Sequence, residues 1–209
     1  MGRCSDAKER LVATAASLFH QRGYTAVSVA DICDAADLKK GSFYHFYASK
    51  LDLALDAIEQ YARGYEALLI GCLRPGATAM DQIRTMFEAL GKTLQQGHNR
   101  DGCMRGCPIG NLALEMADRE EAIRRKIAKV FEALTAGVEG LIRGGVARGE
   151  FAVANPRDAA EGLVATIQGA IVLSKTANDP AVFSRVAGAA LDAFQGRVGV
   201  GASPAAAPA

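Results

Sequence analysis

The chain has 209 residues, 50% of them hydrophobic, which suits one domain or two small ones with a sizeable core. Its 24 Lys and Arg residues nearly balance 23 Asp and Glu residues, and the net charge of +1 alone says nothing about nucleic acid, whereas the small excess of +2 over residues 1–50 favours a local contact patch over a generally basic, nucleic-acid-coating surface. Its apolar runs are shorter than the roughly 18 residues that a membrane-spanning helix needs, so the sequence predicts no membrane partner.

Apolar residues recur at helical spacing along the chain, whereas the alternating pattern of a strand is almost absent. Ser-Asp capping boxes and three prolines indicate where several helices begin. The expected helices span residues 5–22, 28–36, 40–46, 49–72, 79–96, 108–117, 120–148, 156–177 and 180–196. The segment 97–106 is expected to be a polar loop, and the Gly, Ala, Ser and Pro tail at 199–209 is expected to be disordered.

The segment 28–50 combines two short helices, a tight turn and a basic, aromatic stretch that precedes a longer helix. Because a helix N-terminus offers unpaired N–H groups and a partial positive charge, Ser28 and Lys50 are placed to contact phosphates. Gly41 has no side chain, so the backbone can approach a sugar-phosphate closely. The remaining candidates for contacts with bases or phosphates are Lys39, Lys40, Ser42, Tyr44 and His45. The alternative is an ordinary bundle with a solvated basic patch, and the order of these motifs argues against it.

The stretch LFHQRGYTAVSVADICDAADLKKGSFYHFYASKLDLALDAI resembles the DNA-binding domain of TetR-family transcriptional regulators. This resemblance implies an all-α homodimer with a three-helix, helix-turn-helix DNA-binding domain at residues 1–50. It also implies a C-terminal helical ligand-binding and dimerisation domain at 51–198, linked through the fourth helix at about 49–72. By position the resemblance places Ser28 and Lys50 at phosphates, and it assigns to the recognition helix the residues Lys39, Lys40, Gly41, Ser42, Tyr44 and His45.

Two residues depart from the pattern of this family. Asp37 occupies the turn where such proteins usually carry Gly, so either the aspartate adopts the left-handed conformation or the turn is reshaped. Lys39 replaces the common Ser cap of the recognition helix, and the lost cap costs about 1 kcal/mol. Farther along, GCPIGNLALEMAD and AEGLVATIQGAIVLSKT resemble the C-terminal domain of one TetR subgroup, some members of which sense electrophiles or other small molecules.

The five cysteines are an odd number, which indicates a reduced cytoplasmic protein rather than a disulfide framework. Three interpretations stay open for His98, Cys103 and Cys107, which lie in and beside the expected loop. In the first, Cys107 is a buried packing residue. In the second, Cys107 is a thiol sensor whose pKa is lowered by Arg105 and a helix N-terminus, with Cys103 as its resolving partner. In the third, the three residues bind a metal, although no fourth ligand is evident.

Two further sets of residues suggest an effector pocket and a dimer interface. An apolar cavity favours a hydrophobic or aromatic effector, and the surplus of apolar and small residues on the last two helices suits a four-helix interface between subunits. The candidate pocket residues are Met86, Phe87, Leu90, Cys107, Leu112, Met116, Phe131, Leu134 and Ile167. The candidate interface residues are Ala165, Gly169, Ala170, Ser174, Val186, Ala190, Leu191 and Phe194.

These patterns favour a cytoplasmic, dimeric transcriptional repressor that binds the two half-sites of a palindromic operator on double-stranded DNA. A small hydrophobic or electrophilic effector is expected to release it by favouring a conformer that does not fit the operator. A thiol-dependent enzyme using Cys107 and His98 is disfavoured, because no nearby carboxylate orients the histidine and no Gly-rich cofactor loop occurs. A helical scaffold that does not bind DNA is the remaining alternative. The sequence predicts neither a cofactor nor a resident metal.

Overall fold

The computed structural model describes residues 2–198, with side chains for residues 6–195. Over this range every regular element is an α-helix, in agreement with the predicted fold class. The helices are α1 (Gly2–Arg22), α2 (Val29–Ala35), α3 (Lys40–Phe46), α4 (Lys50–Cys72), α5 (Ala79–Asp101), α6 (Pro108–Met116), α7 (Glu121–Ala147), α8 (Pro156–Ala177) and α9 (Pro180–Val198). The predicted disordered tail, 199–209, lies outside the described residues. None of the described helices is long and apolar enough to cross a membrane.

The predicted helix boundaries agree with the structure to within a few residues, except at the end of α5. The sequence places that end at Gln96, but α5 continues to Asp101. Gly97 does not stop the helix, because a glycine in a helix interior costs only about 1 kcal/mol relative to alanine. The stop is Gly102, which has φ +69° and donates its N–H to the carbonyl of His98. The predicted loop 97–106 is therefore wrong in its first half, and His98 lies on α5.

The chain forms two compact units. Unit 1 comprises the chain up to Ala67 together with Arg105–Phe131, and unit 2 comprises Leu68–Met104 together with the chain from Glu132 onward. The sequence-based boundary at residue 50 differs from this grouping, because residues 51–67 and 105–131 pack with the N-terminal helices. Helices α4 and α7 each contribute to both units.

The core of unit 1 forms where α1 packs against α2, α3 and α6. Leu11 and Ala15 lie one helical turn apart on α1 and are fully buried, as their spacing predicts. Ile32 on α2 and Phe43 on α3 are also fully buried. A helix of seven residues is unstable by itself, so α2 and α3 depend on these apolar contacts.

In unit 2, α9 packs against both α8 and α5. The rings of Phe87 on α5 and Phe183 on α9 stack with their centroids 6.3 Å apart. α8 begins at Pro156 after a cap from the Asn155 side chain, and it ends at Ala177, where Asn178 follows as the C-cap with φ +50°. The apolar faces of these three helices therefore supply a core for unit 2 that is separate from the core of unit 1.

Candidate nucleic-acid interface

Ser28 caps the N-terminus of α2. Its Oγ accepts the backbone N–H of Asp31 at 3.1 Å, and the Asp31 carboxylate accepts the N–H of Ser28 at 2.8 Å. This is the capping box that the sequence predicts. The hydrogen bonds from the Ser28 side chain and backbone lower the pKa of Asp31, so the carboxylate stays charged beside the helix N-terminus. Ser28 is exposed at this end of the helix.

The turn between α2 and α3 contains a left-handed aspartate. Asp37 has φ +51°, so the first of the two alternatives left by the sequence is the one that the structure adopts. Its N–H donates to the Asp34 carbonyl at 3.2 Å, and the N–H of Leu38 donates to the Cys33 carbonyl at 2.9 Å. These are the two hydrogen bonds of a Schellman motif, which normally has glycine at the left-handed position. The turn is therefore formed with an unfavourable residue.

A side chain from α1 also binds this turn. Nη2 of Arg10 donates to the carbonyl of Ala36 and, at 3.2 Å, to that of Asp37. These hydrogen bonds compensate for part of the unfavourable backbone conformation at Asp37. The sequence does not indicate this role of Arg10, because nothing near it in the chain points to a partner 26 residues away.

α3 has a buried face and an exposed face. Phe43 is fully buried and Tyr47, at the C-terminal end, is 5% exposed, whereas Tyr44 is 61% exposed. Most of the candidate DNA contacts lie on the exposed surface of this segment, namely Lys39, Lys40, Gly41, Tyr44 and His45, while Ser42 is half-buried. The side chain of Lys39 makes no capping hydrogen bond, as its departure from the family pattern predicts. A Cβ at Gly41 would meet no atom within 4 Å, so the backbone there is open to close approach.

Lys50 is engaged within unit 1. Its Nζ donates to the carbonyls of Tyr24 at 2.9 Å and Val27 at 2.8 Å, and lies 4.1 Å from the centroid of the Tyr24 ring. Burial lowers the pKa of Lys50, and the nearby Glu115 carboxylate opposes that change. Lys50 therefore stabilises the loop before α2, a role that the sequence did not indicate. Its contact with a phosphate stays a prediction.

A carboxylate from α6 binds the N–H groups of the same loop. Glu115 accepts the N–H of Tyr24 and the N–H of Thr25, each at 2.8 Å, and also the Thr25 hydroxyl. Burial raises the pKa of Glu115, but the hydrogen bonds from Thr25 and Tyr24 outweigh it and hold the pKa below its usual range. Gly23, with φ +86°, permits this approach, since a Cβ there would lie 3.0 Å from Glu115 Oε2. The sequence does not indicate this role of Glu115, which is 90 residues from Thr25.

The N-cap of α6 is Cys107, which is 6% exposed. Its Sγ accepts the N–H of Gly110 at 3.2 Å and lies 3.2 Å from the hydroxyl of Tyr65. Burial, followed by the proximity of Cys107, raises the pKa of Tyr65. The burial of Cys107 agrees with the packing interpretation, whereas its position at a helix N-terminus is one that reactive thiols share. Cys33 on α2 is buried as well.

The metal-binding interpretation gains no support from residues 2–198. No group of three or more His, Cys, Asp or Glu in this range is placed to hold an ion. His98 and Cys103 belong to unit 2, whereas Cys107 belongs to unit 1. Cys103 and Cys107 are both free thiols, and Cys103 is half-buried.

All nine candidate pocket residues are buried or half-buried, but they are distributed over both units. Unit 1 contains Cys107, Leu112, Met116 and Phe131, and unit 2 contains Met86, Phe87, Leu90, Leu134 and Ile167. Two clefts within unit 2 are large enough for a small molecule. One, of about 450 Å³, lies along α5 and α9, and Phe87 is part of its lining. The other, of about 470 Å³, lies between the start of α8 and the end of α9.

The candidate interface residues on α8 lie on two different faces. Ala170 and Ser174 are buried, and the Ser174 hydroxyl donates to the Ala170 carbonyl at 2.8 Å. Their assignment to a surface is corrected, because α8 packs against α9 and takes these residues into the core of unit 2. The exposed apolar residues of α8 form the α8 stripe: Ala165, Gly169, Val172 and Leu173.

On α9, the candidate interface residues are less exposed than expected. Leu191 is buried, and Val186, Ala190 and Phe194 are half-buried. Leu191 contributes to the lining of the cleft along α5, and its side chain belongs to the core of unit 2. The assignment of Leu191 to a subunit surface is therefore corrected too. The half-buried residues stay candidates.

The two short helices, their tight turn and the exposed basic face of α3 define a helix-turn-helix of the kind that DNA-binding proteins use. Residues 11–57 match the family model for bacterial regulatory proteins of the tetR family, and residues 79–190 match the model for the tetracyclin repressor-like C-terminal domain. The chain belongs to the TetR family, as the sequence resemblance predicts. It is a transcriptional regulator with an N-terminal DNA-binding domain.

Curated relatives are regulators of the same family. The chain is 33% identical to the transcriptional regulator AcuR of Cereibacter sphaeroides over 156 residues, which cover 74% of this chain and 70% of AcuR. It is 30% identical to the transcriptional repressor NemR of Escherichia coli over 125 residues, which cover 59% of this chain and 61% of NemR.

Solved structures share the fold. A TetR regulatory protein from Rhodobacter sphaeroides has a TM-score of 0.79 and 28% identity, and the match covers 90% of this chain and 98% of that protein. A TetR transcriptional regulator from Chloroflexus aurantiacus has a TM-score of 0.85 and 26% identity, covering 96% of this chain and all of that protein (100%).

Proposed function

We propose that this regulator is a homodimeric cytoplasmic repressor that a small hydrophobic or electrophilic effector releases from a palindromic operator. The observation that carries the proposal is the exposed face of α3, where basic, hydroxyl and aromatic side chains surround an open glycine backbone. NemR is named a repressor and AcuR a regulator. Repression of transcription by this chain therefore follows from likeness to those proteins and from the chemistry of α3.

In the proposed complex, the N-terminus of α3 enters the major groove. Tyr44 and His45 contact base edges, and Lys39 and Lys40 approach phosphates, which supply most of the affinity without selecting a sequence. Ser28 binds a further phosphate at the start of α2. The remaining contacts of α3 come from Gly41 and Ser42, and Lys50 uses its third N–H on a phosphate while its other two bind the loop before α2.

Dimerisation follows from the length of α3 and from the α8 stripe. A recognition helix of seven residues reads only a few base pairs, so specificity requires two half-sites at a fixed spacing. The α8 stripe exposes Val172 and Leu173 by half their surface, and small residues beside them permit a second helix to approach closely. We assign the α8 stripe to the centre of the interface between two copies of the chain.

The effector acts through a difference in affinity between two conformers. A ligand that binds more tightly to the conformer unable to fit the operator shifts the population toward it. The apolar chemistry of the candidate pocket residues supports a hydrophobic or aromatic effector. The cleft along α5 and α9 combines the rings of Phe87 and Phe183 with charged side chains such as Lys92, which suits an aromatic effector that also carries a polar group.

The test is selection of bound DNA from random duplexes, followed by affinity measurement on the selected sequence. We expect a palindrome whose half-sites lie about one helical turn apart. Tyr44→Ala is expected to weaken binding by about 1–3 kcal/mol and to relax base preference at one position in each half-site. Failure to select any sequence, or selection of an unpaired half-site, contradicts the proposal. Arg63→Ala, on α4 and outside the contact surface, is the matched control.

A second candidate mechanism is thiol sensing through Cys107. The position of Cys107 at the N-terminus of α6 favours it, because its Sγ accepts the N–H of Gly110 and lies within hydrogen-bond distance of the Tyr65 hydroxyl. Modification there disturbs the cap of α6 and so weakens operator binding. N-ethylmaleimide is expected to release wild-type protein from the selected duplex but to leave Cys107→Ser bound. An equal response of wild type and Cys107→Ser to N-ethylmaleimide excludes Cys107 as the sensor. The response of Cys103→Ser shows whether modification of Cys103 contributes to the release.

A further inference from the structure

The loop 23–27 joins α1 to α2. Both its backbone N–H groups and its carbonyl groups are hydrogen-bonded by residues that are distant in the chain. Glu115 on α6 accepts the two backbone N–H groups of Tyr24 and Thr25. Lys50 at the start of α4 donates to the carbonyls of Tyr24 and Val27. Ser28, the cap of α2, follows directly after this loop. A displacement of the loop therefore moves both proposed phosphate contacts, Ser28 and Lys50.

The segment that carries Glu115 makes other contacts with the end of α1. Nε2 of His20 lies 2.9 Å from the carbonyl oxygen of Gly106, and Nη1 of Arg105 donates to the Gln21 carbonyl at 3.3 Å. The Asn111 side chain in turn donates to the Arg105 carbonyl at 2.8 Å. The segment 105–116 is therefore attached at several points to the N-terminal helices, and Glu115 is its contact with the loop itself.

We propose that Glu115 is a positioning residue for DNA binding, which orients the loop 23–27 and so sets the phosphate contacts of Ser28 and Lys50. This inference rests on the proposed function. Two features make Glu115 suited to the role. Its carboxylate accepts two N–H groups at once, which fixes the orientation of the loop better than one hydrogen bond does. Its negative charge also attracts the Lys50 ammonium across the loop.

The experiment compares Glu115→Ala and Glu115→Gln with wild type on the duplex that wild type selects. Glu115→Ala is expected to raise the operator Kd about tenfold, because the charge-assisted hydrogen bonds from two backbone N–H groups and from the Thr25 hydroxyl are lost. The slope of log Kd against log salt concentration is expected to decrease by the amount that corresponds to the loss of about one phosphate contact per subunit. Glu115→Gln keeps the size but loses the charge and one acceptor, so it gives an intermediate Kd. Glu66→Ala, which removes an exposed carboxylate on α4, leaves Kd unchanged.

Two measurements separate positioning from simple stabilisation. Deuterium exchange of the free proteins is expected to be faster in residues 23–27 of Glu115→Ala, with little change in the buried part of α1. Urea unfolding fixes the conditions in which every variant is folded, and Kd is compared there. A wild-type Kd and salt slope for folded Glu115→Ala overturn the inference while the proposed function stands. If wild type selects no DNA, the proposed function fails. In that case the inference is overturned separately if deuterium exchange in residues 23–27 is the same in Glu115→Ala and in wild type.

Discussion

α3 and α8 each bury one face and expose another, but the exposed faces differ in chemistry. α3 buries Phe43 and exposes lysine, histidine and tyrosine side chains. α8 buries Ala170 and Ser174 and exposes Val172 and Leu173. A polar, basic face is stable in water and can exchange water for DNA, whereas exposed apolar side chains on one helix face favour a lasting protein partner. The exposed face of α3 therefore suits a transient, charged ligand, whereas the α8 stripe suits the second copy of the chain that we propose.

The largest expected effect tests the buried face of α3. Phe43→Ala removes a fully buried ring from a helix that depends on tertiary packing, so the free energy of unfolding is expected to fall by about 3–5 kcal/mol. Tyr44→Ala, at the next position, is expected to change it by less than about 0.5 kcal/mol. Urea unfolding followed by circular dichroism measures both. Equal losses would show that α3 does not have the two distinct faces described above.

The next effect tests the exposed face of α8. Leu173→Glu places a charge at the C-terminal end of the α8 stripe and removes about 1.5–3 kcal/mol of apolar burial from the proposed interface. The dimer dissociation constant is expected to rise about a hundredfold, because burial of the unpaired carboxylate adds to the loss. Sedimentation velocity measures the assembly state. Leu114→Glu, at an 82% exposed leucine on α6, is the control and is expected to stay dimeric. Unchanged dimerisation of Leu173→Glu excludes the α8 stripe.

Helix periodicity and capping residues were sufficient to predict most of the fold. The periodic apolar residues place α1 and α7, and the Ser28 capping box and the three prolines mark helix starts within a residue of those observed. These signals are local, because they depend on residues three or four positions apart. The end of α5 was missed for the same reason, since Gly97 and Gly102 look alike locally and differ in the backbone conformation that the fold imposes.

The candidate site was predictable in composition but not in its supporting contacts. The residues of α3 that bear DNA-binding chemistry are consecutive, so the sequence shows them together. Arg10 and Glu115 reach their partners across 26 and 90 residues, and neither has a local pattern that distinguishes it from a solvated charge. Lys50 was recognised as a candidate phosphate ligand, but its hydrogen bonds to the loop before α2 depend on the packing of α4 beside that loop.

The smallest expected effect concerns two turns, the one that precedes α3 and the one that follows α8. Asp37 and Asn178 are the non-glycine residues with positive φ among the described residues, at +51° and +50°. Asp37 is exposed, so Asp37→Gly relieves backbone strain and is expected to stabilise the protein by about 0.5–1 kcal/mol. Asn178 differs because its side chain accepts the N–H of the buried residue Met104. Asn178→Gly leaves that N–H without its partner, a loss of about 1–3 kcal/mol that exceeds the relief of strain. Urea midpoints are therefore expected to move in opposite directions, and movement in the same direction would show that the Asn178 hydrogen bond contributes little to stability.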